Sequence, residues 1–85
     1  MAAYSLLVKA SAAKELDTLP TKDRRRVVER ILSLADEPRP HGSQKLSGHD
    51  KYRLRQGHYR IVYLIDDAAR EVTIFKVGHR RDVYR

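Results

Sequence analysis

The chain has 85 residues, no cysteine and a formal net charge of +7. This length predicts a single domain, residues 1–85, with a small core, and the lack of cysteine excludes disulfides and thiolate metal sites. No segment has the length of a membrane-spanning helix or the pattern of a secretion signal, so we expect a cytoplasmic protein with no membrane partner.

The first part of the chain is predicted to form one strand and two helices. The apolar run Tyr4–Lys9 is typical of a short strand, and Ser11 is placed to cap the helix that follows, on which Glu15 is expected to face water. Pro20 is predicted either to end this helix or to begin the next. The segment Thr21–Ala35 predicts a long helix, because its apolar residues recur on one helical face. These residues are Val27, Val28, Ile31, Leu32 and Ala35.

The next segment is predicted to be a loop followed by a β-hairpin. Residues 37–48 contain two prolines and two glycines, which interrupt regular structure. The segment Tyr52–Ile65 then alternates in the period of a strand, with a break at Gly57 and His58. Because Gly57 permits positive φ, we predict a two-residue turn between antiparallel strands. This turn sets the register Gln56–Tyr59, Arg55–Arg60, Leu54–Ile61 and Arg53–Val62.

The two faces of the predicted hairpin differ in chemistry. One face is apolar and suits a core; it carries Tyr52, Leu54, Ile61 and Tyr63. The other face, expected to be open, carries Arg53, Arg55 and Arg60. Like charges directly across a strand pair destabilise the pair. We therefore infer that an anion binds between these arginines, and a phosphate is the obvious one.

The last predicted strand is Glu71–Val77, after a turn at residues 66–70. We expect Val72, Ile74 and Lys76 on one of its faces, and Thr73, Phe75 and Val77 on the other. The element order β-α-α-β-β-β predicts an α+β domain, in which two N-terminal helices pack on one face of a small, mostly antiparallel sheet.

The positive charge is concentrated in the second part of the chain. Residues 39–85 contain 11 Lys or Arg and 5 Asp or Glu, whereas residues 1–38 contain 7 and 6. A one-sided basic field attracts polyanions, nucleic acid above all.

Arginines gathered on one face can support RNA cleavage. In that reaction a ribose 2′-hydroxyl attacks the neighbouring phosphate, so the protein has to orient the strand, stabilise the phosphorane and transfer protons. Arginine grips two phosphate oxygens and stays charged, and aromatic rings stack on bases. The second half of the chain offers Arg53, Arg55, Arg60, Arg80, Arg81 and Tyr84.

The sequence also resembles a known family over essentially its whole length. The segments YRLRQGHYRIVY (Tyr52–Tyr63) and VGHRRDVY (Val77–Tyr84) are similar to those of the RelE group of RelE/ParE toxins, from bacterial type II toxin–antitoxin systems. The resemblance implies a RelE-like fold and cleavage of mRNA on the ribosome, without metal or cofactor. It also implies a cognate antitoxin, encoded by the neighbouring gene, as a partner.

Roles for individual residues follow from the same resemblance. It implies phosphate stabilisation by Arg53 and Arg60, proton donation or leaving-group stabilisation by Arg80, and base stacking by Tyr84. Arg55 stands where the family prototype has the lysine assigned as general base. The implied RNA-binding set is Arg53, Arg55, Arg60, His79, Arg80, Arg81 and Tyr84.

The arginine at position 55 leaves the proton acceptor open. Because the pKa of arginine lies above about 12, Arg55 is a poor base at neutral pH. Either the base lies elsewhere, with His58 and His79 the nearest titratable candidates, or cleavage is slow and relies on electrostatic stabilisation. Two other functions stay open: a ParE-like poison of DNA gyrase, which has the same fold and no nuclease activity, and a basic nucleic-acid-binding module.

Overall fold

The computed structural model of the protein describes residues 3–46 and 50–79. Within them the chain forms two helices and five strands. In chain order these are β1 (Ser5–Val8), α1 (Ala10–Asp17), α2 (Thr21–Ser33), β2 (Gln44–Lys45), β3 (Lys51–Gln56), β4 (Tyr59–Asp66) and β5 (Glu71–His79). The predicted α+β class, with two helices before the hairpin, is confirmed. The predicted order lacks one strand, β2, which lies in the segment expected to be loop.

The strands form one mixed sheet in the order β1-β5-β4-β3-β2. β1 runs parallel to β5, and all other neighbours are antiparallel. Helix α1 packs against β5, and α2 packs against β3 and β4. Helices and sheet share one core, whose largest fully buried side chains are Tyr63, Leu34, Leu54, Ile61, Ile74, Val27, Val72 and Val77.

The other side of the sheet carries no helix among the described residues, and we call it the open face. Strand residues directly opposite each other point to the same face, and successive residues alternate. The register of β3 and β4 therefore assigns six of their side chains to the open face. They are Lys51, Arg53, Arg55, Arg60, Val62 and Leu64.

The two helices begin where the chain turns away from extended structure. α1 begins at Ala10 with Lys9 at its N-cap and without a side-chain cap. The prediction that Ser11 caps this helix is wrong, because the chain enters the helix directly after β1 and Ser11 already lies inside it. Pro20 occupies the N-cap of α2, so this proline begins the second helix.

The buried face of α2 follows Val27 and Ile31 and continues to Leu34. Leu32 is 59% exposed, so the prediction that it lies on the packed face is wrong. A helix has about 3.6 residues per turn, and Leu34 lies closer in angle to Val27 and Ile31 than Leu32 does. The leucine that packs in the core is therefore Leu34.

The hairpin has the predicted register, from Gln56 opposite Tyr59 to Arg53 opposite Val62. Gly57 has a φ of 60°, the conformation that this type of two-residue turn requires at its first position. The turn and the pairing that follows from it are confirmed.

A β-bulge distinguishes β5 from the predicted strand. Val62 pairs with Lys76, but the next pair along the ladder skips a residue of β5, and the extra residue is Phe75. The alternation beyond the bulge is therefore reversed relative to the prediction. Val77 lies in the core with Ile74, and Lys76 lies on the open face.

One backbone donor of β5 is bonded by a helix side chain. The β1–β5 pairing ends at Val8 and Ile74, so among the described residues this edge of β5 has no strand neighbour further along. There, Glu15 Oε1 accepts a hydrogen bond from the backbone N–H of Val77 at 3.1 Å. The prediction that Glu15 only faces water is therefore wrong.

A polar cluster on the surface joins three segments that are distant in sequence. Asp67, in the turn between β4 and β5, accepts a hydrogen bond from Arg39 Nη2 at 2.8 Å and another from the Tyr4 hydroxyl at 2.6 Å. Arg39, the stronger influence, and Tyr4 together lower the pKa of Asp67 to about 2. The cluster ties the start of β1 and the loop before β2 to the β4–β5 turn.

Candidate nucleic-acid interface

The hairpin places three arginines together on the open face. Arg55 and Arg60 are direct cross-strand partners, and Arg53 lies opposite Val62. Among the described residues the only salt bridge joins Arg39 to Asp67, so neither Arg53 nor Arg55 has a carboxylate partner there. Two guanidinium groups in register repel each other, and an anion between them would relieve that repulsion.

The three arginines differ in exposure. Arg55 is exposed and Arg53 is half-buried, whereas Arg60 is only 9% exposed. Arg60 Nη1 donates a hydrogen bond to the carbonyl oxygen of Tyr59 at 3.2 Å. All three arginines lie on the face predicted from the sequence, and Arg60 is the one that is largely covered there. Its strand is central, with β3 on one side and β5 on the other.

The short strand β2 helps to position Arg53. Gln44 lies opposite Arg53 in the β2–β3 register, and Arg53 Nη2 donates a hydrogen bond to Gln44 Oε1. Arg53 Nε is buried and has no hydrogen-bond partner among the described residues. Gln44 could not be predicted as a site residue, since a two-residue strand is too short to show a period.

The two candidate bases lie at the tip of the hairpin, on the helix side of the sheet. His79 pairs with Tyr59, whose hydroxyl donates a hydrogen bond to Asp23 of α2 at 3.3 Å. The rings of His58 and His79 are stacked, with centroids 6.2 Å apart. Side chains alternate along a strand, so Arg60 projects to the face opposite the one that carries Tyr59 and His79.

An open cavity of about 210 Å³ lies at the same end of the molecule. It is lined by Asp23, Arg26, Gln56, Gly57, His58 and Tyr59. Burial and the nearby Asp23 raise the pKa of the Tyr59 phenol, so this lining residue stays neutral at physiological pH. The cavity is formed by α2 and the hairpin tip. It lies on the helix side of the sheet, opposite the face that carries Arg53, Arg55 and Arg60.

The remaining predicted site residues, Arg80, Arg81 and Tyr84, lie outside the described residues. Within residues 3–46 and 50–79, no three His, Asp or Glu side chains come together as a metal site. No helix in these segments is long and apolar enough to cross a membrane.

Comparison with known proteins decides the family. The model described as "ParE toxin of type II toxin-antitoxin system, parDE" matches residues 6–84. The chain belongs to this family. Among curated relatives, Toxin RelG of Mycobacterium tuberculosis is 35% identical to this toxin over 86 residues, which cover 96% of this chain and 97% of RelG. Toxin RelE of the same organism is 32% identical over 84 residues, covering 96% of this chain and 87% of that toxin.

The fold of this toxin matches that of a solved relative. The crystal structure of the toxin–antitoxin complex RelBE2 from M. tuberculosis contains a chain that is 31% identical, with a TM-score of 0.80, over 91% of this toxin and 98% of that chain. The protein is thus a RelE-family toxin of the type II toxin–antitoxin class, and the resemblance and the RelE-like fold inferred from sequence are confirmed.

Proposed function

We propose that this toxin is a ribosome-dependent mRNA endonuclease that inhibits translation and needs no metal ion. The observation that carries the proposal is the cross-strand pair Arg55–Arg60 with Arg53 beside it, in a chain related to RelE-type toxins. Guanidinium groups fixed on a sheet suit a phosphate, which can accept several charge-assisted hydrogen bonds.

The proposed reaction is attack of a ribose 2′-oxygen on the adjacent phosphorus, with departure of the 5′-oxygen. Negative charge on the phosphate oxygens rises in the transition state, so fixed cations stabilise it more than they stabilise bound RNA. Arg53 and Arg60 would hold these oxygens. Arg80 would stabilise the charge on the leaving 5′-oxygen, which takes its proton from water, and Tyr84 would stack on a base.

Proton removal from the 2′-hydroxyl is the step for which this mechanism lacks a strong base. Arg55 does not accept a proton at neutral pH, and His58 and His79 lie on the helix side of the sheet, with their rings stacked. Their position favours the second of the two mechanisms left open by the sequence, in which electrostatic stabilisation by the arginines contributes most of the acceleration.

The proposed partners are the ribosome with its mRNA, in the cytoplasm, and a cognate antitoxin from the neighbouring gene. The solved RelBE2 relative is a toxin–antitoxin complex, and the basic open face is suited to an acidic partner segment. Co-expression with the neighbouring gene product should give one stable complex on size exclusion. Separation of the two proteins at low salt would argue against this pairing.

Controlled expression followed by mapping of RNA ends tests the nuclease proposal. We expect growth arrest and new 5′ ends within translated regions, and the same messages should stay intact when their start codons are removed. Untranslated RNA cut equally well would reject ribosome dependence. Full growth arrest by a folded Arg60→Ala, Arg80→Ala double variant would reject the nuclease mechanism.

A second candidate function is poisoning of DNA gyrase without nuclease activity. The description of the matched family, which names the ParE toxin of the parDE system, favours keeping it. Purified toxin would then inhibit gyrase supercoiling in vitro, and expression would leave the ends of mRNA unchanged. A basic nucleic-acid-binding module would do neither and would cause no growth arrest.

A further inference from the structure

A second cationic cluster lies on the open face, away from the arginine pair. The Nζ atoms of Lys9 and Lys51 lie 4.1 and 4.2 Å from the ring centroid of Phe75. Phe75 is the extra residue of the β5 bulge, and the lysines come from the end of β1 and the start of β3. The ring of Phe75 therefore contacts two ammonium groups that come from either side of β5 within the sheet, one next to β1 and one from β3.

The two ammonium groups carry like charges and are held close to the same ring. Neither Lys9 nor Lys51 has a carboxylate partner among residues 3–46 and 50–79. The negative face of an aromatic ring attracts each cation, but it does not remove their mutual repulsion. An anion bound by both lysines would do so.

The lysine cluster continues the basic surface that begins at Arg55. Arg55 and Lys51 are four positions apart on β3, a distance of roughly 13 Å along the strand. Between them, Arg53 and Lys76 lie on either side of Val62. Beyond Lys51 the strip ends at carboxylates, because Asp66 and Glu71 are the next cross-strand pair on this face.

We propose that Lys9 and Lys51, held by Phe75, form a second phosphate-binding subsite for the RNA strand whose reacting phosphate lies at Arg55 and Arg60. This inference rests on the proposed function. A single phosphate cannot span the roughly 13 Å between the two cation groups, so the subsite takes a different phosphate of the same strand. The continuous run of cations favours a polyanion with regularly spaced charges over an isolated anion.

A protein segment is the other class of ligand that could bind the surface beside Lys9 and Lys51. Leu7 and Val8 of β1 are 47% and 44% exposed, and an antitoxin segment with apolar and acidic residues would contact them. The RNA assignment predicts that the lysines contribute to the salt dependence of RNA binding, whereas the protein assignment predicts that they do not.

The test is the salt dependence of binding to a short single-stranded RNA with 2′-O-methyl groups throughout, which the proposed chemistry cannot cleave. Each phosphate contact to single-stranded nucleic acid changes the slope of log K against log salt by roughly 0.7. We expect Lys9→Gln, Lys51→Gln toxin, which loses the one phosphate contact shared by both lysines, to lose about 0.7 from this slope. The control is Lys14→Gln, Lys22→Gln, which removes the same charge from exposed positions on α1 and α2 and should leave the slope unchanged.

Two results would overturn the proposal. In one, the Lys9, Lys51 variant keeps the wild-type slope. In the other, the variant loses affinity for the antitoxin while its RNA slope equals that of the control, which would assign the lysines to a protein interface. Since the assay needs no cleavage, a toxin that cuts no mRNA but shows the expected slope change would disprove the nuclease activity and leave the RNA subsite supported.

Discussion

Arg60 is the described side chain whose loss is expected to reduce cleavage most, because it is fixed in the central part of the sheet beside Arg55. Removing one preorganised contact to a developing oxyanion typically lowers the rate by about 10²–10³. We expect Arg60→Ala to lose cleavage of translated mRNA by that factor. Arg25→Ala, at an exposed position of α2, is the control, and thermal melting should show that both variants fold. A folded Arg60→Ala toxin with wild-type cleavage would count against the phosphate role.

Arg55→Lys tests whether a proton acceptor is missing at this position. Lysine can lose its proton at alkaline pH, whereas arginine cannot. With the two histidines on the helix side of the sheet, we expect Arg55→Lys to raise the cleavage rate progressively above neutral pH. The measurement is the pH–rate profile of both proteins, with His58→Ala as a control that should follow the wild-type profile. Loss of a neutral-pH titration in His58→Ala would instead identify that histidine as the base.

At the scale of elements, the bond from Glu15 to β5 connects helix α1 to the strand that borders the site. Glu15→Ala would leave the half-buried Val77 N–H without its acceptor, which typically costs about 1–3 kcal/mol. Glu15→Gln keeps an acceptor oxygen and should lose clearly less. Urea unfolding measures both, with Glu29→Ala on the exposed side of α2 as the control. Equal stability of the Ala and Gln variants would show that the bond contributes nothing.

At the scale of the whole molecule, the Asp67 cluster should make stability depend on acid pH. Its folded pKa of about 2 lies below the ordinary value of 3.8, so its contribution is present above the ordinary value and is lost as pH falls towards 2. We expect Asp67→Asn to unfold at lower temperature than wild type at neutral pH, and the difference to vanish near pH 2. Melting temperatures across this range provide the measurement, with Asp36→Asn as the exposed control. A difference that persists at the acid end would exclude the carboxylate as its source.

Local patterns in the sequence were sufficient for the elements and for the hairpin register. Period-2 alternation around Gly57 determined which residues of β3 and β4 face each other, because a two-residue turn permits one pairing. The same alternation placed Arg53, Arg55 and Arg60 on one face, and the segments Tyr52–Tyr63 and Val77–Tyr84 were enough to indicate the RelE resemblance.

Only the tertiary structure decided the features that depend on contacts between distant segments. Strand β2 forms because Gln44 and Lys45 pair with β3. The bulge at Phe75 is a shift in the pairing register between β5 and β4. The burial of Arg60, the bond between Glu15 and β5, and the placement of Lys9 and Lys51 around one ring likewise join residues far apart in the chain. Periodicity and propensity report each residue's relation to its own element, whereas these interactions depend on how the elements pack.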